Sequence, residues 1–437
     1  IAAYSQEPNF ETLKHAVISM ILCGDYYVEL AQIENAQKQY DDASGFYEAC
    51  DPEKTDDVKR LLFTLEQRLG AICTQKGDRA GTKSHYARCV DIASTLGDEL
   101  ADRRNTVAAF NNIGVYYKGE GETSEARKHY ESALDIAYKI ATETQELPDL
   151  RMYRICLFNI GGICLDEGNP QKAEQEFQRA LQVANMLINI DDSAVARRDK
   201  AITLTLLGSA VKRQGRLSDA SRHYTEALEI YEKVAEETET VTAKYDLCIC
   251  YNDTGTVLQL MGEYETAKTY YETSLKIAEH FNAECNTVGF MRVTAINLVN
   301  LGYIAKMQGK PDSAQEYYKR SIDVRTELAG MTGSVSDRES LAFANNRLGA
   351  IYLEKGALDM AEECFKNALK IYGYLLRQTS KSNIRQGEIT CWLNIGDVSN
   401  KQGNLTEARE SFEKALLLAE EYSKSCNTAV DRTSEAT

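Results

Sequence analysis

Residues 111–136 read NNIGVYYKGEGETSEARKHYESALDI, and their spacing decides the fold. Gly114 is followed by Gly121, Ala126, Tyr130 and Ala133. The same five places return every 47 residues (161 − 114, 208 − 161 and so on). The first glycine recurs as Gly161, Gly208, Gly255, Gly302, Gly349 and Gly396, and the second as Gly168, Gly215, Gly262, Gly309, Gly356 and Gly403. The alanine recurs as Ala173, Ala220, Ala267, Ala314, Ala361 and Ala408. The aromatic recurs as Phe177, Tyr224, Tyr271, Tyr318, Phe365 and Phe412. The last small residue recurs as Ala180, Ala227, Ser274, Ser321, Ala368 and Ala415. Chance does not hold five places in phase through seven copies.

Outward from this block, a further copy begins at Gly70, with Gly77, Tyr86, Cys89 and Ile92. It lies 44 residues before Gly114 (114 − 70), so its connection is three residues shorter. A degenerate copy runs through Ala43, Tyr47 and Cys50. Each unit reads as two helices. The first glycine lies inside helix A, where Gly is about 1 kcal/mol worse than Ala. It is there because a side chain would push helix B away. The second glycine ends helix A in a left-handed conformation. The alanine, aromatic and small residue share one face of helix B. That apolar face is buried only by the next unit, so the units stack. Inter-repeat turns are expected at Thr144–Asp149, Ile190–Ser193 and Gly330–Ser336. Five prolines in 437 residues suit long helices.

This pattern resembles the tetratricopeptide repeat family over about residues 60–420. The single tryptophan, Trp392, falls four before Gly396, a place where that family often has one. The period departs from the usual 34, and the usual proline after helix B is absent. The extra residues are expected to lengthen helix B and the following helix A, by about 20 Å of helix in total. Asn111-Asn112-Ile113-Gly114 followed by Ala133-Leu134-Asp135-Ile136 is similar to kinesin light chain repeats. Long-period repeats also resemble sensor arrays attached to signalling ATPases. The resemblance implies an all-α, right-handed superhelical solenoid of stacked antiparallel helix pairs, with helix A lining the concave surface.

Two rows on helix A are candidates for function. Two before each first glycine stand Asn112, Asn159, Leu206, Asp253, Asn300, Arg347 and Asn394. Asn is a mediocre helix former, and its amide offers donors and an acceptor to an extended peptide backbone. Related repeats use asparagines at this place in that way. The alternative is that these amides bond to the preceding helix and set the stacking. Ten before each glycine stand Arg60, Arg104, Arg151, Arg198, Tyr245, Arg292, Glu339 and Gln386. Arg forks bind carboxylates, so Arg104, Arg151, Arg198 and Arg292 form a candidate strip for an acidic partner segment. Alternatively each Arg pairs with an acid on a neighbouring helix, such as Glu146 or Asp149.

Composition excludes other classes. The net charge is −16, which is wrong for a nucleic-acid backbone and for an anionic membrane surface. No 18-residue apolar run is present to span a bilayer. The twelve cysteines are irregularly spaced with no paired CxxC, as for free thiols in a reducing cytoplasm. His85, His129 and His223 share a helix-B row, but successive repeats lie too far apart to share one metal ion. Cys248 and Cys250 are two apart and point different ways. No P-loop, dinucleotide fingerprint or nucleophile elbow occurs, so neither cofactor nor metal is expected.

The expected organisation is a degenerate helical repeat or cap over 1–58, an array of eight repeats over 59–422, and a polar tail over 423–437. The start, Ile-Ala-Ala-Tyr-Ser, reads as part of a longer chain. The function expected is a non-catalytic scaffold that holds an extended or helical segment of a partner protein in the concave groove. Two alternatives stay open: a sensor domain of a larger signalling ATPase or adaptor that recognises a folded protein, and a fragment of a multidomain enzyme.

Overall fold

Helix A of the Gly114 repeat spans Leu100–Glu120 and helix B spans Thr123–Thr144, joined by two residues. The join follows from Gly121, whose φ of 81° is left-handed. Its N–H donates to the carbonyl of Lys118 at 3.1 Å, and the N–H of Glu122 donates to Tyr117 at 2.9 Å. These bonds satisfy carbonyls that the helix end leaves open. The second glycines from Gly77 to Gly403 all adopt positive φ.

The computed structural model describes residues 10–30, 32–50, 55–285, 287–378 and 382–434. Among them are eighteen helices and no strand. In chain order these are α1 (Phe10–Glu29), α2 (Ile33–Cys50), α3 (Asp56–Lys76), α4 (Arg79–Ser94), α5 (Leu100–Glu120), α6 (Thr123–Thr144), α7 (Leu147–Asp166), α8 (Pro170–Ile190) and α9 (Ala194–Arg213). Then follow α10 (Leu217–Thr238), α11 (Val241–Leu260), α12 (Tyr264–Cys285), α13 (Val288–Met307), α14 (Pro311–Thr332), α15 (Val335–Glu354), α16 (Leu358–Leu375), α17 (Ser382–Lys401) and α18 (Leu405–Ser434). Odd numbers are A helices and even numbers are B helices. The chain divides into two units, Ile1–Arg216 and Leu217–Thr437. The first holds α1–α9 and the second α10–α18.

Within each unit every helix packs on the next in sequence. The A helices of neighbouring repeats also touch, as α1–α3, α3–α5 and α5–α7 in the first unit and α11–α13 and α15–α17 in the second. No pair of B helices among the described residues reaches comparable contact. The A helices therefore form the inner side of each stack. The extra length of the repeat goes into the helices, α7 having 20 residues and α8 having 21.

The core is the expected one. Ala126, Tyr130, Ala133, Ala173, Phe177 and Ala180 are buried, as are Ala314, Tyr318, Ala361, Phe365 and Ala368. The rings of Tyr86, Tyr130, Phe177, Tyr271, Tyr318, Phe365 and Phe412 each lie on the helix-A glycine of their own repeat. A Cβ on Gly349 would stand 2.6 Å from Cε1 of Phe365, and one on Gly114 would stand 2.5 Å from Cε1 of Tyr130. The same rings reach the following repeat. Tyr318, Ile351, Phe365, Ile395 and Val398 form one continuous cluster.

Three details differ from the sequence expectation. The N-terminal copy is phased on Gly24, not on Ala43, Tyr47 and Cys50. Tyr40 packs on Gly24, with Ala36 and Ala43 buried beside it, and the offsets of 12, 16 and 19 residues (36 − 24, 40 − 24, 43 − 24) are those of the array. The side chain of Cys50 lies outside the described residues. The inter-repeat turns are shorter than expected, because capping brings helix starts forward. Gly330 stays inside α14, which Gly333 ends at a φ of 61°. Ser334 then caps α15 by accepting from the N–H of Asp337 at 3.1 Å. Finally, α18 continues to Ser434 where a polar tail was expected, and residues 435–437 lie outside the described set.

Helix α13 is long and apolar enough to cross a membrane by length and composition alone. Phe290, Val293, Leu298, Leu301 and Ile304 on it are buried in the stack, which accounts for its composition.

Candidate interaction surface

The arginine row is engaged between repeats. Arg104 donates from Nε and Nη2 to the two carboxylate oxygens of Asp149 at 2.7 and 2.6 Å, and reaches Glu146 at 2.9 Å. Arg60 makes the same fork to Asp102, at 2.7 Å on both arms. Arg292 does so to Asp337, at 2.9 and 2.7 Å. Arg151 reaches Asp199 at 3.3 Å, where the buried Arg154 also binds. Arg198 is not free either. Of the two readings the sequence left open, pairing with neighbouring acids is the one these distances describe. Each fork joins one A helix to the next, so it fixes the stacking of repeats. A guanidinium used in this way has little left to offer a partner.

The forks of Arg60, Arg104 and Arg292 lower the pKa of Asp102, Asp149 and Asp337 and so hold them ionised. The Arg292 guanidinium, with Thr332 and Ser334 donating behind it, holds Asp337 down to about 2. Its folded value is thus below the unfolded value of about 4. The stabilisation is complete above pH 4 and is lost as pH falls through 2. It should amount to about 2 kcal/mol. Urea midpoints measured from pH 5 to pH 2 should fall more steeply for the native chain than for Asp337→Asn. Parallel curves would show that this fork contributes nothing.

The asparagine row divides. Asn159 donates to Asn111 of the previous repeat at 3.0 Å, and Asn394 donates to Asn346 at 2.7 Å. These two amides set stacking. Asn112 and Asn300 form no such bond among the described residues. Asn112 lines a recess of about 370 Å³ with Tyr86, Val115, Tyr116 and Arg79.

A third row went unnoticed in the sequence. Six before the first glycines stand Thr64, Ala108, Ile155, Ile202, Ile249, Ile296, Phe343 and Thr390, apolar in six of the eight repeats. These places lie one helical turn from the amide row, hence on the same face of helix A. Ile155 is 46 % exposed, Ile296 39 % and Phe343 40 %. Ile202 and Ile249 are half-buried, so three apolar side chains of this row stand open to solvent, in phase rather than singly scattered. The signal was present in the aligned repeats, but apolar residues in a helix read first as core.

The other chemical candidates are quiet. Among the described residues no three His, Cys, Asp or Glu side chains are grouped to hold a metal ion. His85 pairs with Glu66 at 2.7 Å, and His129 stacks on Tyr117 with centroids 5.5 Å apart. Cys248 and Cys250 are both buried, and burial pushes the Cys248 thiol up to about 12. Such a thiol is a small apolar core residue.

Tetratricopeptide repeat models match residues 106–140, 153–233, 250–281, 296–327, 344–373 and 389–422. The chain belongs to the tetratricopeptide repeat family. Over 142 residues it is 25 % identical to the alpha-soluble NSF attachment protein of Homo sapiens, covering 29 % of this chain and 47 % of that one. The chain thus spans about half the length of the curated relatives it matches. The apo form of RapI superposes with a TM-score of 0.59 at 14 % identity, over 93 % of this chain and 98 % of RapI. The apo form of the quorum sensor NprR from B. thuringiensis gives 0.56 at 13 % identity, over 94 % and 99 %. At such identities these structures share the fold alone.

Proposed function

We propose that the chain is a non-catalytic interaction array that holds an extended or helical segment of a partner protein along its A-helix face. The exposed apolar row carries this reading. In the first unit Ile155 offers a side-chain contact and Asn112 an amide for a backbone; in the second unit Ile296 and Phe343 offer side-chain contacts and Asn300 the amide. Such a surface gives several weak contacts spaced along a partner, as repeat arrays do. The one curated relative reported above is named for attachment to another protein, which agrees with a protein partner. The forked arginines support the face by fixing repeat spacing.

Charge reversal tests this. Ile155→Glu with Ile296→Glu should reduce partner capture from lysate by about tenfold or more, while each exposed change alters stability by only about 0.5 kcal/mol. Met186→Glu on helix B, equally exposed, is the control and should capture partners as the native chain does. Equal capture by all three proteins would move the binding surface off helix A.

A further inference from the structure

Arg103 and Arg338 occupy the same place on helix A, eleven before the first glycine (114 − 103, 349 − 338). Arg103 is spent on Glu143 of its own helix B, at 2.7 Å. Glu143 stands 29 after Gly114, and the residue 29 after Gly349 is Gln378 (143 − 114, 378 − 349). With a neutral amide in place of the acid, Arg338 turns to Tyr374. Its Nη1 donates to the hydroxyl at 3.1 Å, and its guanidinium lies over the ring at 5.0 Å. Arg377 lies over the same ring at 5.9 Å. Lys370 stands one turn before Tyr374 on α16. Among the described residues none of these three cations forms an ion pair. The places of Lys370 and Arg377, 21 and 28 after the first glycine, hold Glu229 and Glu236 in the Gly208 repeat (370 − 349, 377 − 349, 229 − 208, 236 − 208). On a chain of net charge −16 this is a local reversal of sign.

The three cations line a recess of about 750 Å³ between the B helices α14 and α16, with α15 as its floor. Leu341 and Arg338 stand eight and eleven before Gly349, on the side of α15 away from the amide row at two before. The recess therefore lies off the A-helix face. Among the described residues no Asp or Glu lines it, and Ile322, Leu341 and Ile371 form apolar walls. Three cations with no anion among them suit a phosphate dianion. Guanidinium forks take its oxygens two at a time. The walls are apolar up to the cations, so the carrier should be apolar up to its phosphate. A phenyl ring meets that requirement, whereas a ribose would press its hydroxyls against isoleucine and leucine without partners.

We propose that this recess binds a phosphotyrosine side chain of a partner protein. Arg338, Lys370 and Arg377 surround the phosphate, and the phenyl ring lies against Ile322, Leu341 and Ile371. On binding, Arg338 exchanges the Tyr374 hydroxyl for phosphate oxygens. That the carrier is a protein rests on the proposed function; the phosphate site itself does not.

Small probes separate the two ideas. N-acetyl-O-phosphotyrosine amide, N-acetyltyrosine amide, inorganic phosphate and adenosine monophosphate are titrated by calorimetry into the full chain at constant ionic strength. The first should bind at least about tenfold more tightly than each of the others. Lys370→Glu with Arg377→Glu installs the residues of the Gly208 repeat at two exposed places. It should weaken binding by about tenfold or more and leave the melting curve unchanged. Gln378→Glu restores the acid that Arg103 has, and should weaken binding several-fold by giving Arg338 an ion partner. Tyrosine amide or inorganic phosphate binding as tightly as the first probe overturns the proposal, as does unchanged binding in both variants. Tighter binding of adenosine monophosphate overturns it in favour of a nucleotide. Lysate capture by Ile155→Glu/Ile296→Glu, with changes confined to A helices, is read independently of all four probes, so failure of one idea is not failure of the other.

Discussion

Phe365→Ala should lower the stability of the chain by about 3–5 kcal/mol, among the larger costs of a core truncation. The ring is fully buried and lies in the cluster that joins three successive repeats. Its place depends on Gly349, and that dependence gives a sharper test. Alanine is about 1 kcal/mol better than glycine inside a helix. In the native chain Gly349→Ala should nevertheless cost about 1–3 kcal/mol, because its Cβ would stand 2.6 Å from the ring. With Phe365 already replaced by Ala, the same Gly349→Ala change should stabilise. A double-mutant cycle by urea unfolding reads this reversal as a coupling. If Gly349→Ala costs the same in both backgrounds, the conserved spacing of glycine and aromatic within the repeat has another origin.

The second large effect is an asymmetry across one arginine fork. Arg104→Ala leaves the Asp149 carboxylate buried with, among the described residues, only the Thr144 side chain donating to it, at 2.7 Å. Removing one partner of a buried pair costs about 3–5 kcal/mol. Arg104 is 36 % exposed, so water screens part of this and about 2–3 kcal/mol is expected. Asp149→Ala should cost less, since Arg104 keeps Glu146 at 2.9 Å and reaches solvent. The loss in Arg104→Ala should also shrink in acid. Arg104 lowers the pKa of Asp149, chiefly by its hydrogen bonds. The native pair is therefore worth most above pH 4 and is lost as pH falls through the lowered folded value. Without Arg104 the buried carboxylate is relieved by taking up a proton. Thermal melts of both variants at pH 7 and pH 3 check this. Equal losses, or a difference that ignores pH, would contradict the role of the fork as inter-repeat electrostatics.

The fold was legible because its determinants are local and repeated. Gly349 and Phe365 sit at fixed offsets, and steric fit demands the same small and large residues in each copy. The asparagines and arginines were legible as rows, but not in what they touch. Their partners, Asn111 for Asn159 and Asp149 for Arg104, lie 48 and 45 residues away (159 − 111, 149 − 104). Choosing between neighbour and ligand needs the distance across the junction. Ile155 was overlooked for the opposite reason, since its residue type is that of a core position and only its exposure distinguishes it. The N-terminal copy was misphased because the place equivalent to the second glycine is Ala31, which gives no turn signal in the sequence.

The acid that receives each fork does not occupy one place throughout. Asp102, Asp149 and Asp337 stand twelve before their glycines, whereas Asp199 stands nine before its own (114 − 102, 161 − 149, 349 − 337, 208 − 199). Arg151 and Arg154 both turn to that shifted acid. The junctions thus come in two dialects, and the repeats are not interchangeable parts. A duplicated or transplanted repeat would keep the glycines and rings in phase, yet would set a guanidinium opposite alanine wherever the dialects differ, as Ala196 stands in the twelve-before place of the Gly208 repeat. Growth or shortening of such an array is then limited by electrostatic grammar at its junctions, not by the fit of its core.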